Sequence, residues 1–177
     1  MKIELILSIA GALCAAFKWV YEYSRKLKWE MNVFLLEQIE KFRSLESTRA
    51  MEKILDWNSA YVSFQNERML VNDSMLEGAF KTHNIKHTFT KEEVKLRSIF
   101  DEYFDNLTKL IFMTKVGLAD KKNLILFLEY WFRILSGISK SKSKEVLNEM
   151  WKYMEYYGYV DLIQFMEEYR ESIKNKK

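Results

Sequence analysis

The chain of 177 residues contains no proline, five glycines, one cysteine and two histidines. Each scarcity excludes something. Proline removes a backbone donor and clashes with the preceding turn, so a chain without it is free to form long unbroken helices. A single cysteine, Cys14, rules out an intramolecular disulfide and fits a reducing compartment. The glycines are isolated, so no Gly-rich loop can cradle a phosphate. Histidines His83 and His87 come without a Cys cluster or the glutamate of a zinc-protease motif. The formal net charge of +3 is small, and acids alternate with bases along most of the chain. That is the pattern of solvated helix faces rather than of a nucleic-acid-binding stripe.

What is present is apolar and aromatic. Hydrophobic residues make up 49% and aromatic residues 15%, enough for a core built from large rings. With abundant Leu, Lys, Glu and Met this reads as an all-α chain. Residues Ile3 to Phe17 carry one charge, Glu4. The apolar character continues through Trp19, Val20, Tyr21 and Tyr23, with Lys18 able to snorkel its amine to a surface. Counted to Tyr23 the segment reaches the roughly 20 residues of a spanning helix, and Trp19, Tyr21 and Tyr23 fall where an interfacial aromatic belt belongs. A cleaved signal peptide and a buried core helix are the competing readings. Lys2 precedes the segment, while Lys18, Arg25, Lys26 and Lys28 follow it. The positive-inside rule then places the C-terminal part in the cytoplasm.

The expected architecture is therefore one N-terminal transmembrane helix (residues 1–23) continuing as a stalk (24–43) into a cytoplasmic helical domain that ends at residue 177. Within the anchor, Ser8, Ala12 and Ala16 fall four apart, as do Gly11 and Ala15, a small-residue stripe that permits close helix packing in lipid. Lys18 and Glu22, also four apart, form either a charged pore mouth or an ordinary surface pair. Leu27, Met31, Phe34, Leu35, Ile39 and Phe42 recur at helical spacing as a packing seam. A second helix is expected from about Ser47 to Val71, then an irregular stretch from Asn72 to Thr90. Thr90 and Glu93 form a capping-box pattern. Further helices are expected to about Val116, from Asp120 to about Ser136, from Lys144 to Tyr157, and from Val160 into a basic tail.

Catalytic patterns are not found. Helical ribonucleases that pair an arginine with a histidine about four to six residues later use the histidine as acid or base. No arginine here has a histidine at that spacing, and no enzyme activity, cofactor or metal is expected. The aromatic cluster Trp151, Tyr153, Tyr156, Tyr157 and Tyr159 suits a subunit interface, since Tyr and Trp favour half-wet surfaces. Base stacking is the other use of such rings.

The anchor at Ile3 to Val20, the stalk with Arg25, Lys26 and Lys28, and an aromatic helical domain of this size resemble the small accessory membrane protein of type VI-B CRISPR systems. Leu96 to Leu118 and Tyr130-Trp131 also resemble bacterial membrane-anchored helical domains in general. The first resemblance implies a ring-shaped homo-oligomer, an octamer, forming a pore in the bacterial inner membrane. Such a pore depolarises the membrane and enhances RNA-targeting antiphage defence, coupled to the RNA-guided effector ribonuclease. It implies lipid and further copies of the chain as partners; direct binding of nucleic acid is not expected from the alternating charge pattern. The alternative is a membrane-tethered module that recruits RNA or the effector protein.

Overall fold

The structure is a computed structural model that describes residues 2–83 and 86–175, and side chains from Leu13 onward. Among the described residues it is mostly helical. Helices α1 (Lys2–Ser44) and α2 (Glu46–Asp56) lead into a hairpin of β1 (Ser59–Phe64) and β2 (Glu67–Asn72). The chain continues as α3 (Asp73–Ala79), α4 (Lys91–Lys115), α5 (Lys121–Leu135), α6 (Lys144–Tyr156) and α7 (Val160–Lys174).

Helix α4 is the axis of the core because its apolar positions cover more than one face. Leu96, Ile99, Phe100, Tyr103, Phe104, Leu107, Leu110 and Ile111 are all buried. Burying each such side chain contributes about 1.5–3 kcal/mol. Thr90 and Glu93 close the capping box in both directions, at 3.1 and 2.9 Å. At the other end Gly117 takes a positive φ of 76°, and the Leu118 N–H donates to the Met113 carbonyl. This is the glycine-terminated stop the sequence indicates. Phe80 stacks on Phe100 at 4.1 Å, and Tyr153 of α6 meets both rings edge-on. The C-terminal helices are thereby fixed to α4.

One departure from an all-α chain is clear. The second helix does not run to Val71; it stops at Asp56, and residues 59–72 form an antiparallel two-stranded sheet. Val62 and Phe64 face inward with Val71 from the other strand, a period of two rather than 3.6. Gln65 and Asn66 both have positive φ, 52° and 61°, as a two-residue primed hairpin turn requires. The stretch after the hairpin holds a short helix, α3, capped by the Asn72 side chain on Met75 N–H.

The turn before α6 is held by a buried cation. The Lys142 ammonium is 1% exposed and donates to the Trp57 carbonyl at 2.6 Å and to Asp73 at 2.9 Å. An unpaired ammonium at that depth would be costly; its two acceptors tie α6 to the hairpin.

Candidate membrane-facing and assembly surface

Helix α1 has two halves with opposite surroundings. From Leu35 onward its apolar positions Leu35, Ile39 and Phe42 are buried against the domain. From Leu13 to Glu30 every residue is exposed. The expected seam therefore starts at Met31, and Leu27 lies outside it, 41% exposed. Asn32 marks the docking point, accepting from the Asn123 amide at 2.6 Å.

The free half exposes large apolar side chains as well as charges. Phe17 (73% exposed), Trp19, Val20, Tyr21, Tyr23 and Trp29 all stand in the open. At 3.6 residues per turn, Phe17 and Tyr21 fall on one face, Trp19 and Tyr23 on the opposite one, and Trp29 between them. Trp19 and Tyr23 stack at 5.6 Å. The exposed rings are thus spread around the helix and do not form a single one-sided docking stripe. Charges lie among the rings. Lys18 and Glu22 form an i,i+4 pair at 3.9 Å, and Lys26 and Glu30 another at 3.7 Å. Both pairs are exposed and contribute a few tenths of a kcal/mol at most.

Of the small-residue stripe, Ala15 and Ala16 are exposed on this free half, while Ser8, Gly11 and Ala12 lie outside the residues whose side chains are described. Most of the apolar run Ile3–Phe17 lies outside them too. Among the described residues, no helix is long and apolar enough to cross a membrane.

The C-terminal aromatics are placed differently from a shared interface patch. Tyr153 is completely buried, and its hydroxyl donates to Asp101 at 2.5 Å. It has no surface to offer a second subunit, because α6 packs this ring against Phe80 and Phe100. Trp151 is half-buried and donates its indole N–H to the Leu135 carbonyl at 3.0 Å. Tyr159 is also half-buried, bonded to Asp101 at 3.3 Å. Tyr157 accepts from Arg97, and Tyr156 alone of the five is exposed, at 48%. Burial pushes the Tyr153 and Tyr159 phenols well above the ordinary range, with Asp101 adding to it. Burial does the same to Tyr103, helped by Glu52.

Sequence spacing missed a second cluster, because its members are joined only in space. The nearly buried Arg97 guanidinium donates to the carbonyls of Ala79 and Lys81 at 2.7 and 2.6 Å, and to the Tyr157 hydroxyl at 2.5 Å. It packs over the Phe89 ring at 4.4 Å, with His83 Nε2 3.5 Å away. His87 meets the Glu93 carboxylate at 3.1 Å. Arg97 thus does have a histidine beside it, but one that precedes it in the chain. Its donors are occupied by backbone and phenol oxygens, so the cluster is a clamp on the segment joining α3 to α4. Gly78 is part of it: a Cβ there would fall 1.9 Å from Glu93 Oε1. Among the described residues, no group of three or more metal-ligating side chains occurs.

No family model, curated protein or solved structure matches the chain.

Proposed function

We propose that the chain is a membrane-anchored subunit whose copies assemble around α1 into an ion-conducting pore. The observation that carries this is the free half of α1, exposed from Leu13 to Glu30 with aromatic rings on opposite faces. In water that surface is unfavourable, and the sequence N-terminal to it is apolar apart from Lys2 and Glu4. A bilayer would cover the apolar run and this surface as far as Tyr23, with Trp19, Tyr21 and Tyr23 at the headgroup level. The Lys and Arg excess after the segment orients the helical domain to the cytoplasm.

A single helix encloses nothing, so conduction needs a ring of copies. The stripe of Ser8, Gly11, Ala12, Ala15 and Ala16 is the element that lets helices approach closely. Lys18 and Glu22 would then ring the cytoplasmic mouth and bias which ions pass. Each unit charge crossing 100 mV releases ~2.3 kcal/mol, so even a sparse pore dissipates a membrane potential. Inner-membrane location, an octameric ring and coupling to an RNA-guided ribonuclease in antiphage defence rest on the resemblance to the type VI-B accessory proteins.

The test is electrical. The full chain is reconstituted into vesicles carrying a potassium diffusion potential, read with a voltage-sensitive dye. Collapse of the potential is expected with the wild type and a slower collapse with Gly11→Leu, Ala12→Leu. A potential that persists as in empty vesicles, with the protein integrated, removes the pore.

A further inference from the structure

At the pole of the domain away from the free half of α1 lies a cavity of about 680 Å³ between the end of α5, the start of α6 and the end of α7. The polarity follows from α5. Asn32 and then Arg43 of α1 bond to Asn123 and then Phe127 of α5, so the two helices run in the same sense and Ser136 is distal. Three cations line the cavity, Lys144, Arg170 and Lys174, and no Asp or Glu does. Elsewhere on the surface Lys95, Lys115 and Lys121 each hold a carboxylate at 2.5–2.7 Å, whereas exposed Lys28, Lys41 and Lys53 hold none among the described residues. Among the described residues, none of the three lining cations has such a partner.

Arg170 is also held in place. Its Nε and Nη2 donate to the Ser136 carbonyl at 2.9 and 2.6 Å, and its guanidinium packs over the Trp151 ring at 4.9 Å. A carbonyl orients the guanidinium without neutralising it, which leaves a fixed positive charge with Nη1 free to donate. The exposed Asn148 amide adds a neutral donor, and Trp151 with Leu147 gives an apolar wall. One fixed guanidinium with two exposed lysines beside an apolar wall suits an anion that carries an organic group, and the volume is that of a small-ligand site.

We propose that this cavity binds a soluble phosphate ester of nucleotide size. The phosphate meets Lys144, Arg170 and Lys174, and the organic group lies against Trp151 and Leu147. A headgroup of the bilayer that holds α1 is at the opposite pole and does not reach it. The inference is independent of whether α1 forms a pore.

The test is calorimetric titration of the full chain in mild detergent with adenosine monophosphate, inorganic phosphate, adenosine and a short oligoadenylate RNA. Adenosine monophosphate is expected to bind, phosphate more weakly, and adenosine not at all. Lys144→Gln and Lys174→Gln, both at exposed side chains, should each weaken binding about tenfold through loss of a charge-assisted contact. Lys140→Gln, an exposed lysine outside the cavity, should leave it unchanged. No heat with adenosine monophosphate at ~1 mM overturns the proposal. So does undiminished affinity in the Lys144→Gln, Lys174→Gln double variant. Tighter binding of the oligoadenylate through the same lysines replaces the small ligand with a polyanion and also overturns it.

Discussion

Gly78 and Arg97 show how much single residues decide. Gly78 leaves room for the Glu93 carboxylate, which caps α4 and holds His87. Gly78→Ala is expected to destabilise by about 1–3 kcal/mol, the range for losing a cap and straining a packed site, measurable as a lower urea midpoint with an unchanged slope. Arg97→Met should cost about 3 kcal/mol, because it orphans the Ala79 and Lys81 carbonyls. A loss below about 0.5 kcal/mol would show that the clamp is idle. The buried tyrosines make a prediction about pH. Tyr103, Tyr153 and Tyr159 all have phenols raised above the unfolded value of about 10. The unfolded chain therefore loses these protons first as pH rises. Stability is complete below about pH 10 and falls above it, by up to about 1.4 kcal/mol per pH unit for fully buried Tyr103 and less for the partly open Tyr159. Ultraviolet titration should show fewer tyrosinates in the native protein at pH 11 than after unfolding, with loss of helix following.

At the scale of elements, the hairpin carries the clearest test. Gln65 and Asn66 occupy left-handed backbone conformations that favour Asn and Gly. The double change Gln65→Asn, Asn66→Gly is expected to raise stability by about 0.5–1 kcal/mol, read from the same urea transitions. A neutral or negative change would mean that the turn has a different geometry. The hairpin also explains what the sequence conceals. Met51, Ile54, Leu55, Trp57, Tyr61 and Phe64 can be fitted to a helical period, and no proline or glycine interrupts them. The alternation of Val62 and Phe64 was the competing signal, too short to prevail before the turn was visible. Elsewhere the punctuation was plain. Thr90 with Glu93, Asp120, Gly117 and Gly158 set helix ends where the structure has them. Legible boundaries came from local chemistry, acting over three or four residues. Arg97 with His83 and Tyr157, or Lys142 with Trp57, are contacts made over distances no spacing pattern encodes. Lys144 opens a helix and Lys174 belongs to the basic tail in the sequence, and only the packing of α6 on α7 brings them to one cavity with Arg170.

For the whole molecule, the division of α1 is the organising feature. Its C-terminal half is core, and among the described residues nothing covers its N-terminal half from Leu13 to Glu30. The aromatic density of that half was readable in the sequence, as was the seam of Leu35, Ile39 and Phe42. The point where one gives way to the other, at Met31, needed the packing of Asn32 on Asn123. The central claim is that copies of this half, in a membrane, assemble with one another. Its most direct test is the mass of the full-length chain purified in mild detergent, corrected for bound detergent. A discrete species of many subunits, lost in the Gly11→Leu, Ala12→Leu variant, is the result predicted. A monomer at every protein concentration tested would contradict it, because one α1 cannot enclose a channel.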